Sequence, residues 1–94
     1  MKKEHVAGQK KAGDIMMYAL STCIWCRRTK EFLDRLGVEY YYADVDMLEG
    51  EDREKAEAEI EKWNPAGSFP PIVLNNSECV VGYKPEDLKA KLGL

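Results

Sequence analysis

Short apolar runs and stripes of apolar residues with helical spacing alternate along the chain. The first run lies within residues 14–20, which contain no internal glycine or proline and are short enough for a buried strand. A stripe with helical spacing follows it, and Gly37 stands just beyond the stripe as a typical C-cap residue. The members of the stripe are Cys26, Thr29, Phe32, Leu33 and Leu36. This pattern predicts a strand followed by a helix.

A second strand and a second helix are predicted in the same order. Residues 38–45 are rich in tyrosine and valine, which favour strands, and a right-handed crossover would make this strand parallel to the first. Helical spacing then returns and is ended by residues 64–67. The apolar face of this second helix comprises Ala56, Ile60 and Trp63.

The last third of the sequence predicts a hairpin and a short helix. The apolar runs 72–74 and 79–81 flank residues 75–78, a polar loop of hairpin composition. Pro85 is suited to the first position of a helix, and two acidic residues follow it in the first turn. The element order is therefore βαβαββα, which predicts an α/β domain with a four-stranded mixed sheet flanked by helices.

Composition limits the chain to one globular domain. Ninety-four residues, 45% of them hydrophobic and 33% charged, are typical of a folded protein that is neither disordered nor embedded in a membrane. We expect this domain to span residues 14–94, preceded by a flexible tail of residues 1–13 that carries four lysines. No apolar stretch suits a secretory signal or a membrane span, so we expect the protein in the cytoplasm. We also expect it to be a monomer.

Charge excludes one class of partner. The net charge is −3, and nine carboxylates lie between Asp44 and Glu61. Binding to nucleic acid requires a basic face on the folded body, so we expect none.

The segment Cys23-Ile24-Trp25-Cys26 carries the candidate chemistry. It stands where the first strand leads into the first helix, so the sulfur of Cys23 lies at a helix N-terminus, where free N–H groups and the macrodipole favour a thiolate. We predict that Cys23 is the nucleophile. Cys26, one turn later, would resolve the mixed disulfide that Cys23 forms with a substrate. Arg27 adds positive charge that would help to stabilise the thiolate.

The main alternative for this cysteine pair is half of a zinc site. Such a site needs four ligands, usually as two close pairs. The remaining candidates are Cys79, in a predicted strand, and His5, in the predicted tail without a visible partner. We therefore expect no metal, and we interpret Cys79 as a packing residue.

From residue 15 to residue 92 the chain resembles the glutaredoxin and glutaredoxin-like redoxin family of the thioredoxin superfamily. The resemblance rests on the paired cysteines after the first strand, on Ser68-Phe69-Pro70 before residues 72–74, on the glycine in Val81-Gly82-Tyr83, and on the short terminal helix. It implies a thioredoxin-like fold and a thiol–disulfide oxidoreductase. It also implies a cis Pro70 that faces the cysteines and a Phe69 backbone that pairs with an extended substrate. Trp25, Gly82 and Tyr83 would complete the substrate-binding set.

The sequence departs from the glutathione-using members of that family. Those members typically have a basic residue before the first cysteine, a tyrosine between the cysteines, and a pair of glycines followed by an acid. Here Ser21 and Thr22 precede Cys23, Trp25 replaces the tyrosine, and Val81 replaces the first glycine.

The residues after Gly82 are more similar to redoxins that serve ribonucleotide reductase and receive electrons from a flavin-dependent thioredoxin reductase. The resemblance therefore leaves two electron donors open, glutathione as a co-substrate and that reductase, with no tightly bound cofactor. An iron–sulfur carrier and a binding module without chemistry are the less favoured alternatives.

Overall fold

The computed structural model of the chain describes residues 2–94 and consists of a five-stranded mixed sheet with three α-helices. The strands are β1 (Glu4–Val6), β2 (Ile15–Ala19), β3 (Tyr40–Asp44), β4 (Pro71–Leu74) and β5 (Glu78–Val81). The helices are α1 (Ile24–Leu36), α2 (Gly50–Trp63) and α3 (Pro85–Lys91), and a short 3-10 helix spans Val45–Met47. The predicted α/β class and the predicted order from β2 to α3 are confirmed.

The sheet places β2 at its centre. The strand order is β1-β3-β2-β4-β5, with β2 parallel to β3 and the other neighbours antiparallel. Because β2 and β3 are parallel, their carboxyl ends meet at one end of the sheet, where Ala19 is the partner of Asp44. The segment that follows each of these strands therefore starts from the same place, which is where the cysteine pair lies.

Each face of the sheet has its own core. Ile15, Met17 and Ala19 belong to one cluster with residues of α1 and α3, whereas Tyr18 belongs to a second cluster with residues of α2. Successive side chains of a strand point to opposite faces, so a central strand covered on both faces is apolar throughout. This double burial explains why residues 15–20 are an unbroken apolar run rather than an alternating pattern.

Helix α1 follows the predicted pattern closely. Its buried residues Cys26, Thr29 and Leu33 lie on the predicted stripe. Gly37 ends the helix in the left-handed conformation, with φ of 73°. Glycine adopts this conformation without steric cost, so the helix stops where the sequence indicates. In residues 2–94, no helix has both the length and the apolar character needed to cross a membrane.

The structure corrects the prediction of four strands and of an N-terminal tail outside the sheet. Residues Glu4–Val6 form β1, which pairs with β3. Gly8 then passes directly against the backbone of Val38, where a Cβ atom would lie 2.4 Å from the Val38 carbonyl carbon. Further along, the Lys10 N–H donates to the Gly37 carbonyl over 2.9 Å.

The pattern of apolar residues does not predict β1, because the strand is held mainly by backbone pairing and surface contacts, to which Val6 adds packing against the core. The imidazole Nε2 of His5 lies 2.9 Å from a carboxylate oxygen of Glu39, and its ring lies 4.8 Å from that of Tyr41. The Lys3 amine stands 4.5 Å from the centre of the same tyrosine ring. The reading of His5 as a residue without a partner is therefore wrong.

Candidate active site

Cys23 is the N-cap residue of α1. It ends the short loop that starts at Leu20 and connects β2 to α1. Its backbone is extended, with φ of −83° and ψ of 117°, and its N–H donates to the Leu20 carbonyl over 3.1 Å. Its Sγ accepts a hydrogen bond from the Cys26 N–H over 3.2 Å. The half-buried sulfur thus caps the helix with a side-chain acceptor, in a position that favours a negatively charged group.

Cys26 lies in a different environment, although only one helical turn separates it from Cys23. Its side chain is 1% exposed and belongs to the core that α1 forms with the sheet. Burial, followed by the hydrogen bond with Cys23, raises the pKa of the Cys26 thiol to about 12. Cys23 is therefore half-buried, whereas Cys26 is a buried, protonated thiol. The division of roles into nucleophile and resolving residue stays a prediction.

This difference predicts selective alkylation of the reduced protein. With a pKa of about 12, only about one Cys26 side chain in 10⁴ is a thiolate at pH 8. Because iodoacetamide reacts with the thiolate, we expect rapid modification of Cys23 and very slow modification of Cys26. Peptide mass spectrometry over a time course measures both. Comparable rates at the two cysteines would contradict the burial of Cys26, and the Cys23→Ser variant should lose the rapid phase.

The Phe69–Pro70 peptide bond is cis, as the family resemblance implies. Pro70 is buried, and its carbonyl accepts a hydrogen bond from the Gly82 N–H over 2.8 Å. Gly82 has φ of 88°, and among residues 2–94, apart from its two neighbours in the chain, no atom lies within 4 Å of the place where its Cβ would be. Backbone conformation, rather than close packing, therefore explains the glycine.

Phe69 combines a half-buried ring with a free backbone. Its side chain packs against the same core cluster as Cys23. Within the described residues 2–94, neither its N–H nor its carbonyl pairs with another backbone group. These two groups remain available for an extended chain.

Two aromatic side chains stack beside the cysteines. The rings of Trp25 and Tyr83 lie 6.1 Å apart with an angle of 19° between their planes. Trp25 is 53% exposed, and the neighbouring Ile24 is 51% exposed. Trp25 and Tyr83, predicted separately from the sequence, are thus brought together, and they form with Ile24 an exposed apolar rim next to Cys23.

Asp46 is a site residue that the sequence analysis missed. Its carboxylate accepts hydrogen bonds from both the N–H and the hydroxyl of Ser21, and these bonds lower its pKa. The short loop that leads to Cys23 is therefore tied to the chain that follows β3. The parallel pairing of β2 and β3 was the available signal, since it brings the residues after both strands to the same end of the sheet.

Lys30 is a second residue that the sequence analysis missed. Its positive charge lowers the pKa of Cys26 and so offsets a small part of the increase caused by burial. Its amine lies 3.6 Å from Asp44 and 3.8 Å from the centre of the Tyr42 ring. Arg27 has an exposed side chain, and within residues 2–94 no hydrogen bond joins it to either sulfur. Its role in stabilising a thiolate stays a prediction.

The remaining candidates lie apart from the cysteine pair. Cys79 is half-buried in β5 opposite Val73, and burial raises the pKa of its thiol. Among residues 2–94, no three or more histidine, cysteine or acidic side chains are grouped in a way that could hold a metal ion.

A thioredoxin-like fold with two cysteines at a helix N-terminus and a cis proline defines a glutaredoxin-like redox protein. Residues 15–79 match the family model for glutaredoxins, so the chain belongs to the glutaredoxin family.

Three relatives illustrate the range of similar proteins. The crystal structure of the glutaredoxin from Methanosarcina mazei Go1 has a TM-score of 0.91 and 40% identity, covering 100% of this chain and 90% of that one. Methanosarcina acetivorans methanoredoxin has a TM-score of 0.85 and 42% identity, with 89% and 88% covered. The Gene 56 protein of Mycobacterium phage D29 is 32% identical over 72 residues, which are 77% of this chain and 74% of the phage protein.

Proposed function

We propose that this protein is a dithiol oxidoreductase that reduces disulfides in proteins or small molecules. The Cys23 thiolate attacks one sulfur of the substrate disulfide, forms a mixed disulfide and releases the other sulfur as a thiol. Cys26 then loses its proton and attacks the Cys23 sulfur, which releases the second substrate thiol and leaves a Cys23–Cys26 disulfide. Two electrons pass to the substrate. The observation that carries this proposal is the hydrogen bond from the Cys26 N–H to the Cys23 sulfur at the start of α1.

The surroundings of Cys23 support the binding of an extended substrate. The unpaired backbone groups of Phe69 would hydrogen-bond to a substrate strand that lies beside Pro70. The stacked rings of Trp25 and Tyr83, near Gly82, would cover the disulfide from the other side. Such positioning brings the two sulfurs into line for attack.

Two donors would return electrons to the oxidised protein: glutathione, or a flavin-dependent thioredoxin reductase. The run from Gly82 to Pro85 favours the second donor, and with it a redoxin that supplies ribonucleotide reductase. We propose that the protein acts in the cytoplasm as a monomer. No observation favours the iron–sulfur carrier, which stays a less favoured prediction.

A comparison of donors tests this proposal. Oxidised protein is mixed with a peptide disulfide and either glutathione with its reductase or a thioredoxin reductase, and NADPH consumption is followed. We expect turnover with at least one donor, and faster turnover with thioredoxin reductase because residues typical of glutathione contacts are replaced at Thr22, Trp25 and Val81. If chemically reduced protein transfers no electrons to the peptide in a single turnover, the proposed function is wrong.

A further inference from the structure

A groove with a volume of about 450 Å³ lies between the start of the loop that leads to Cys23 and the residue before Pro70. Its apolar part is formed by Leu20, Val45, Ile60 and Phe69. Two of these residues belong to the site itself: Leu20 begins the loop that leads to Cys23, and Phe69 carries the free backbone groups next to Pro70. A substrate strand that pairs with Phe69 would therefore run along the opening of this groove.

The charged residues around the groove are mostly acidic. Asp46, Glu57 and Glu61 supply three carboxylates, and Arg53 is the one cation among the residues that line it. The Arg53 Nε lies 3.2 Å from Glu57, so its charge is already matched within the groove. Asp46 stays ionised because its bonds to Ser21 lower its pKa. Glu61 has no ion-pair partner in the part of the chain from residue 2 to residue 94.

We infer that this groove receives a lysine or arginine next to the reactive cysteine of a protein substrate, and that an apolar residue adjacent to it lies on the rim of Ile24 and Trp25. The basic side chain would place its charged end among the carboxylates while its methylene groups cover Leu20, Ile60 and Phe69. This inference rests on the proposed function and specifies its substrate class. Glutathione disulfide, with net negative charge, is poorly matched to the same groove.

Spacing along an extended chain fits this arrangement. Adjacent side chains of a strand point to opposite sides, so the basic side chain would enter the groove while its apolar neighbour faces the Trp25 rim. The exposed side chains of Ile24 and Trp25 would contact the apolar residue of the substrate, whereas the carboxylates of the groove would favour a positive charge on the opposite side of the substrate strand.

A set of mixed disulfides between short peptides and thionitrobenzoate tests the inference. The peptides differ only beside the cysteine, with Leu-Lys, Leu-Glu or Gly-Lys, and the reduced protein releases coloured thionitrobenzoate in a single-turnover stopped-flow measurement. We expect Leu-Lys to react about fourfold faster than Leu-Glu at low salt, because attraction of the lysine and repulsion of the glutamate each contribute about twofold. This ratio should fall towards one in about 0.5 M salt. Gly-Lys should react more slowly than Leu-Lys.

Variants of the groove residues test whether its carboxylates cause the preference for the lysine peptide. Glu57→Gln with Glu61→Gln should reduce the Lys-over-Glu ratio to about one, and Glu61→Lys, which also removes the net negative charge of the groove, should have the same effect. Glu51→Gln is the matched control, since Glu51 lies on α2 outside the groove and should keep the ratio unchanged. Circular dichroism shows whether each variant is folded.

The outcomes separate this inference from the proposed function. No release of thionitrobenzoate above the rate of the Cys23→Ser variant, with any peptide, would refute disulfide reduction itself. Equal rates for Leu-Lys and Leu-Glu, or a preference that persists in the Glu57 and Glu61 double variant, would overturn the groove assignment and leave the redox function standing.

Discussion

Replacing Cys23 with serine should abolish disulfide reduction, with a loss of at least about 10³-fold, because a serine hydroxyl is almost never ionised at neutral pH and cannot exchange with a disulfide. Replacing Cys26 with serine should have a different effect. Cys23 would still attack the substrate, but no second thiol would be present to release it, so the reaction should stop at a mixed disulfide. The measurement is a single-turnover assay with a peptide disulfide, combined with intact-protein mass spectrometry.

The mass spectra distinguish the two roles directly. We expect one peptide adduct per chain in Cys26→Ser, removed by dithiothreitol, and none in Cys23→Ser. Cys79→Ser is the matched control, because Cys79 is a half-buried thiol in β5 and should leave turnover unchanged. If Cys26→Ser released both substrate thiols at the normal rate, Cys26 would not be the resolving residue.

The second large effect concerns the packing that holds α1 on the sheet. Leu33 is 0% exposed and belongs to the core shared by α1, α3 and the sheet. Leu33→Ala should lower the free energy of unfolding by about 3 kcal/mol, because it removes buried methyl groups and leaves a cavity that the structure fills only in part. Urea denaturation followed by circular dichroism measures the change.

A surface substitution provides the comparison for Leu33. Met47 is 70% exposed, and Met47→Ala should change the free energy of unfolding by no more than about 0.5 kcal/mol. If Leu33→Ala costs as little as Met47→Ala, the described contact between α1 and the sheet would be wrong. Because Cys23 and Cys26 lie on α1, we also expect faster alkylation of Cys26 in Leu33→Ala under mild denaturant.

Periodicity predicts the elements whose burial depends on side chains. The stripe through Cys26, Thr29 and Leu33 correctly places α1 and its C-cap at Gly37. It misses β1, since the exposed residues of that strand are held mainly by backbone hydrogen bonds to β3, which leave no apolar pattern. A sequence pattern detects what is buried and is insensitive to what is only paired.

The difference between local features and contacts made by the fold also explains which residues of the candidate site the sequence predicts. Cys23 and Cys26 were found because their spacing and their position at a strand-helix junction are local features. Asp46 and Lys30 were missed because their contacts depend on how β3 lies beside β2 and on which side of α1 faces it. Pro70 came from the family resemblance, because composition alone does not distinguish a cis from a trans bond.

The N-terminal strand also affects how molecules of this protein meet one another. Tyr40, Tyr41 and Tyr42 make β3 a strand with high β-propensity, and without β1 its outer row of N–H and carbonyl groups would be open to pairing with another chain. β1 occupies that row with a three-residue segment bearing Glu4 and His5, preceded by Lys3. Short, charged edges resist further strand addition. We therefore expect β1 to limit the pairing of this sheet with another chain.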